Sequence, residues 1–473
     1  MPKKVIHIAS YELKRYFRDG RARSLVIAVV FMLMASMLLS VRDYQLSFEA
    51  YQNNLQQVRL NWEQQSEKDP HDAAHDGTYV IKPLFPLAII DKGIQQFSGS
   101  VVHLGAHQRK QSTLNEAKDH SGIFRFGEFT PAFMLNYVFP LLLIFLGYNA
   151  FTSEKENQTI RLLLVQGVPL SQIALGKWLA LFLQMIVLWM ILFGTAAMVS
   201  FGLGADVRVS LSEWLTLAGA YLLYFIIFIN LIIWVSAKAL SSGTSLTILL
   251  TVWIIITLII PKVSTNLAGW AYPFPTLQTF RDNINEDQAT GLNGHNFWNE
   301  AAQDFQQQVL KEYGVEKIED LPVAYGGLLL AEGEKYESEI YTKHFDLLQS
   351  QYEHQRDVYR WCGLISPMLP LRFVSMALAR TDYGFLWHFE DEAEKYRVDF
   401  NTALNMNIAE NAKGVDHYKA GRELWATIPQ FDYIWQPSDE VIEGHKIEIG
   451  MIGIWTFISF LLSIMYSRKI KVV

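Results

Sequence analysis

Apolar and polar stretches alternate along this chain on a long scale. Six apolar runs reach the roughly 20 residues that a helix needs to cross a bilayer. They fall at about 24–41 (SLVIAVVFMLMASMLLSV), 131–151, 179–202, 214–236, 244–261 and 448–466. None carries a charge in its middle. Charges inside the hydrocarbon are costly and mark ion or proton pathways, so their absence argues against ion-coupled transport. A seventh region, 358–380, is apolar but broken by Pro367, Pro370 and Arg372. It reads as a buried or membrane-surface element of the polar part.

Basic residues orient the spans, because they stay on the cytoplasmic side. Residues 1–23 hold Lys3, Lys4, Lys14, Arg15, Arg18, Arg21 and Arg23, segment 152–178 holds Lys155, Arg161 and Lys177, and Lys238 lies in 237–243. The tail adds Arg468, Lys469 and Lys471, against Arg208 alone in the short loop 203–213. Both termini are therefore expected in the cytoplasm. The basic-then-apolar start lacks a small-residue cleavage pattern, so it reads as an uncleaved first span and not a secretory signal. Two long polar segments, 42–130 and 262–447, then lie outside. Helical periodicity within them appears at 44–68, 296–313, 328–361 and 386–413, with few β-type alternations. Their many aromatic residues, among them Trp298, Tyr336, Trp361, Trp387 and Trp425, supply material for a core.

Between the second and third spans lies TSEKENQTIRLLLVQGVPLSQIALGKWL. Ser153 with Glu156 three residues on is a capping-box pattern. Ile160, Leu163, Leu164 and Gly167 recur at helical spacing, giving a short amphipathic helix. Gly167 suits a left-handed stop, Pro169 sets the break, and Ser171 is placed to cap the next helix. The segment reads as a handle for a soluble partner. The same pattern also fits an interfacial hairpin that is polar because it meets water. Upstream, YELKRYFRDGRARS interleaves basic residues with Leu13, Tyr16 and Phe17, as in a helix lying on an anionic leaflet.

Bulk composition adds little but is consistent. The 473 residues are 51% hydrophobic and 18% charged, and the mean hydropathy of +0.13 fits spans diluted by large polar segments. A net charge of −7 gives no sign of nucleic-acid binding. The single Cys362 excludes an intrachain disulfide.

The pattern Ser153-Glu154-Lys155-Glu156, Thr159, Arg161 to Leu164, Gln166-Gly167-Val168 and Gly176-Lys177 resembles the loop of ABC-2-type transporter permeases. Glu12 to Arg15 with Arg18-Asp19-Gly20-Arg21 is similar to that family's membrane-surface connecting helix. In the polar part, Leu321-Pro322, Gly327 to Leu330, Glu334, Tyr336, His344-Phe345, Ser375 to Ala379, Thr381-Asp382 and His388-Phe389 resemble a subfamily with a large extracytoplasmic insert. That subfamily is related to the gliding-motility and nitrous-oxide-reductase-maturation permeases.

The resemblance implies an all-α, type V exporter-like fold of six spans with a mainly helical extracytoplasmic domain, in the bacterial inner membrane. It implies cytoplasmic ABC ATPase subunits as partners, and a homodimer or a sister permease. An extracytoplasmic partner is also in view. Glu154, Glu156, Thr159, Arg161, Gly167, Pro169 and Lys177 would couple to the ATPase. Glu12, Lys14, Arg15, Arg18 and Arg21 would form the surface helix. Gln158 stands where many relatives have Gly, so the turn before Thr159 is expected to be more helical.

No catalytic motif is found. Gly167 and Gly176-Lys177 are spaced wrongly for a phosphate loop, and Trp178 follows where Ser or Thr is required. ATP and Mg would bind on the partner, and this chain is expected to hold no cofactor. His71 with His75, and His103 with His107, have the i, i+4 spacing of metal ligands. They are read here as a solvated loop, with no metal expected. Two functions stay open: ATP-driven substrate movement, and ATP-driven mechanical work on an envelope partner. A membrane enzyme or an ATPase-independent receptor is a third and weaker reading.

Overall fold

The computed structural model describes residues 2–113, 129–202, 208–289, 291–292, 294–295 and 298–467. Arg468, Lys469 and Lys471 of the expected basic tail lie outside the described residues. The protein is mostly helical, and among the described residues six helical stretches are long and apolar enough to cross a membrane.

Helix α1 (Pro2–Arg18) ends at Asp19, whose carboxylate accepts a hydrogen bond from the Arg21 N–H at 2.9 Å and so caps α2. Helix α2 (Gly20–Glu63) runs 44 residues, more than twice its apolar stretch. The separate helix expected at 44–68 is thus the continuation of the first span. Residues 42–63 contain neither Gly nor Pro, so nothing in the sequence stops propagation. At 1.5 Å per residue α2 is about 66 Å long, roughly twice the hydrocarbon thickness. Its far tip delivers Trp62 to the polar domain, where the indole N–H donates to the Trp425 carbonyl at 3.0 Å.

After α2 come α3 (Pro70–Asp76) and an antiparallel hairpin of β1 (Thr78–Ile81) and β2 (Val101–Leu104), paired from Thr78↔Leu104 to Ile81↔Val101. At four residues each, these strands are too short for alternation to stand out in the sequence. The second span, Pro131–Glu156, opens with a π turn at Met134–Val138, continues as α4 (Phe139–Gly147) and closes with α5 (Thr152–Glu156). Then follow α6 (Thr159–Val165), α7 (Leu170–Gly202) and α8 (Leu211–Lys238). The fifth span is α9 (Ser242–Ile254), a second π turn at Ile255–Ile259, and α10 (Ile260–Ala271).

Helix α8 runs through the middle of the bundle, with buried residues along its length from Glu213 to Ala237. Asn230 on it is fully buried, accepting from the Trp178 indole at 2.8 Å and donating to Ser459 at 3.0 Å. Such polar ties hold helices together where apolar burial gives no preference between protein and lipid. Both π turns sit one residue or so before a proline, Pro140 and Pro261, where the ring displaces the usual hydrogen bond. A carbonyl in each turn takes a hydroxyl partner. Tyr224 donates to the Asn136 carbonyl at 3.1 Å, and Ser366 to the Ile256 carbonyl at 2.7 Å. Replacing Ser366 with Ala is expected to cost about 1 kcal/mol, read as a lower melting point by tryptophan fluorescence in detergent.

The polar domain is built on α11 (Leu277–Ala289), α12 (Glu300–Tyr313), α13 (Tyr325–Trp361), α14 (Met368–Leu378) and α15 (Tyr383–Asn411). The sixth span, α16 (Lys446–Ser467), follows. Where α13 crosses α15, a Cβ on Gly327 would stand 2.3 Å from the Ala409 nitrogen. Only glycine permits that approach. Of the aromatics expected in the core, Trp387 and Trp425 are buried, whereas Trp298 and Trp361 face outward. The proline-broken region 358–380 folds into α14, and Met368, Leu371, Val374 and Leu378 join the apolar core of the spanning helices. It closes the domain end of the bundle, with Arg380 bonded to Glu213 of α8 at 2.7 Å.

Candidate functional site

The sequence-predicted residues converge at the end of the bundle that carries the N-terminus. Helix α1 lies against the start of α7, with Val5, Ala9 and Glu12 on its buried face. The contact is close because position 176 is glycine: a Cβ there would fall 2.6 Å from Ile8 Cγ2. Next to it is Lys177, 1% exposed, bonded by its ammonium to the Glu12 carboxylate and to Glu154 Oε1 at 2.7 Å. Arg15 reaches Glu12 at 3.7 Å and Ser153 Oγ at 3.2 Å. One buried cation thus joins α1, α5 and α7.

Glu12 therefore has a different place from the one expected. It is turned into the protein, not laid on a lipid surface, because Lys177 offers it a buried counter-charge. Lys14, Arg18 and Arg21 are exposed on α1 and the start of α2.

The loop is equally well fastened on its other side. Lys155 donates to the Ala237 carbonyl at 2.6 Å and the Ala239 carbonyl at 2.9 Å, at the C-terminus of α8. There a cation meets the negative end of the helix dipole. Glu156 accepts from the Ser242 N–H at 2.7 Å and its hydroxyl at 2.8 Å. The expected Ser153–Glu156 capping box is consequently absent: Phe151 is the N-cap residue of α5 and makes no side-chain cap bond. Glu156 finds two donors at the N-terminus of α9, which its own helix start cannot match.

Gln158 adopts φ 57°, in the left-handed region, so the turn before Thr159 is a break and not the more helical connection expected. Gln158 takes the conformation natural to glycine there, at a cost of about 1–2 kcal/mol. Thr159 donates from its hydroxyl to the Glu154 carbonyl at 3.4 Å. Gly167 has φ +73° and ends α6 as expected, and the Lys4 ammonium reaches its carbonyl at 3.3 Å. Pro169 accepts from the Gln172 N–H at 2.9 Å. Helix α7 starts at Leu170, so Ser171 is inside the helix and not its cap.

Helix α6 has two faces. Ile160 is buried, with Leu163 and Leu164 partly so, which is the expected stripe turned inward. On the opposite side Arg161, Leu162 and Val165 are exposed, Val165 by 87%. Leu162 and Val165 were not singled out by periodicity. An apolar pair on the face away from the stripe is the signal that identifies them.

The histidines regroup. His103, on β2, bonds to the Asp76 carbonyl at 3.0 Å and to Lys110, apart from His107. His71 and His75, on α3, instead meet His107 and His295, and one ring nitrogen from each of the four lies within 4.8 Å of the other three. The region expected as a solvated loop is a short helix against a four-histidine cluster. His295 comes from the second polar segment, so no spacing rule could have linked it.

Two family descriptions match the chain: ABC-2 family transporter protein over residues 6–310, and a domain of unknown function, DUF3526, over 278–434. Comparison with curated proteins gives no match. The first match covers the site just described together with five of the six spans. The second covers most of the polar domain, from α11 through α15. With well over half its length matched, the chain belongs to the ABC-2 transporter family and is a multi-pass permease, a membrane component that is not itself catalytic.

Proposed function

We propose that this permease works in the bacterial inner membrane with both termini in the cytoplasm, driven by separate ABC ATPase subunits that bind ATP and Mg. It would act as a homodimer or with a sister permease. The observation that carries the reading is the outward face of α6. Arg161, Leu162 and Val165 are exposed at the tip of a loop whose inner side is bonded to α1, α7, α8 and α9. A partner that pushes on this face would move four elements together. By linkage, nucleotide binding shifts the spans only as far as the partner prefers one arrangement of them. The resemblance of 320–390 to permeases with a large extracytoplasmic insert fits a domain on the far side of the bilayer.

The test is co-purification of an ABC ATPase subunit with the permease from the native membrane. Leu162→Asp with Val165→Asp is expected to abolish capture while leaving the melting curve of the isolated permease unchanged, since both side chains are already in water. Unchanged capture would overturn the reading.

A second reading, mechanical work on an envelope partner, draws support from α2. It runs without a break from the bundle to Trp62 in the polar domain and could carry motion there with nothing crossing. ATP-dependent flux into or out of proteoliposomes separates the two.

A further inference from the structure

We propose that His71, His75, His107 and His295 form a binding site in the polar domain for a divalent transition-metal cation of the zinc class. The site is distinct from the ATPase-coupling loop and does not depend on that reading.

The tautomers are set from behind. His107 Nδ1 lies 2.8 Å from Glu337 Oε2. A carboxylate only accepts, so Nδ1 carries the hydrogen and the Nε2 lone pair is left facing the cluster. His71 Nδ1 lies 2.9 Å from the Asn405 side-chain oxygen, which directs its Nε2 inward in the same way. Both inward nitrogens point at one atom: His295 Nε2 is 2.9 Å from His107 Nε2 and 3.4 Å from His71 Nε2. A single N–H on His295 can serve only one of these two lone pairs. A cation between them would satisfy both. With metal–nitrogen bonds of about 2.0–2.1 Å, the edge of a tetrahedron is about 3.3 Å, which the two separations bracket. His75 completes the set, its ring centroid 4.7 Å from that of His71 and 5.0 Å from that of His107.

The surroundings support a ligand role. His107 has φ 66°, a left-handed backbone that side chains rarely adopt. It is held there by the carboxylate of Glu334, which accepts the His107 N–H at 2.8 and 2.9 Å. Glu334 is itself fully buried against Arg397. A carboxylate behind a ligating histidine fixes the ring and raises its basicity. Imidazole donors suit zinc, copper and nickel, whereas calcium and magnesium require oxygen.

His75 and His295 are exposed, so the cation exchanges with solvent. Because three ligands come from 71–107 and one from 295, binding clamps the two polar segments to each other.

The experiment uses the full chain in detergent, purified without a polyhistidine tag, stripped with chelator and titrated with Zn2+ against a chromophoric competitor. One equivalent is expected to bind, and Co2+ in its place should give the visible bands of a tetrahedral site. Glu337→Gln should weaken binding about 10–100-fold, and His107→Ala with His295→Ala should abolish it. His103→Ala should bind as the wild type does. His75→Ala and His295→Ala replace exposed side chains, and their metal-free melting curves should match that of the wild type. Failure of the wild type to take up one equivalent, or undiminished uptake by Glu337→Gln or by His107→Ala with His295→Ala, overturns the proposal.

Discussion

Replacing Lys177 with Met should destabilise the protein by about 3–5 kcal/mol, the usual cost of removing one partner from a buried ion pair. The lysine is 1% exposed and stands between Glu12, which is buried, and Glu154, which is partly buried. Glu154 Oε2 already lacks a hydrogen-bond partner, so loss of the ammonium leaves two carboxylates with little compensation. The outcome should be a lower midpoint in detergent unfolding and release of α1 from α7, detectable as proteolysis near residue 12. A triple variant with Glu12→Gln and Glu154→Gln should recover most of the loss, because neutral amides are far cheaper to bury than unpaired charges. A wild-type melting curve for Lys177→Met would show that the triad does not hold the joint. A functional consequence follows under the proposed coupling. With α1 loose, ATPase capture should survive, since α6 remains in place, while ATP-driven work by the assembled transporter should fall.

Arg397→Met should have an effect of similar size on the polar domain. Arg397 is fully buried, bonded to Glu334 at 2.5 Å and to Glu394 at 2.8 Å, with the Gly105 carbonyl at 3.2 Å. Its removal strands two buried carboxylates, again costing about 3–5 kcal/mol. The damage should be local to the domain. Limited proteolysis is expected to cut there while the spanning helices stay protected. Because Glu334 holds the His107 backbone, Zn2+ uptake should fail together with domain stability. Lysine at 397 should rescue only partly, since an ammonium cannot serve both carboxylates in the planar fork that a guanidinium provides. Equal protease resistance of Arg397→Met and the wild type would refute this account.

The six spans were legible because transfer of an apolar run into a bilayer is a property of local composition, summed over about 20 residues. The stop at Gly167 was legible for a similar reason, since it depends on one residue and its neighbours. Helix ends were less so. The first span overran its apolar stretch because Arg42 to Glu63 are acceptable in any helix, and hydropathy reports the solvent around a helix, not its length. The paired strands at 78–81 and 101–104 are stabilised by each other and by the helix beneath them, with no period of their own to announce them.

What the sequence determined by itself was a six-span, mostly helical protein with a charged loop ending in a left-handed glycine. Those features follow from solvation and backbone sterics acting over a few residues. Tertiary structure alone decided the partners of the charges. Glu156 abandoned Ser153 for Ser242, Glu12 turned inward to Lys177, and His107 left His103 for His71, His75 and His295. In each case a polar group went to the best donor, acceptor or counter-charge that folding brought near. That choice depends on distances in space, which spacing along the chain does not encode.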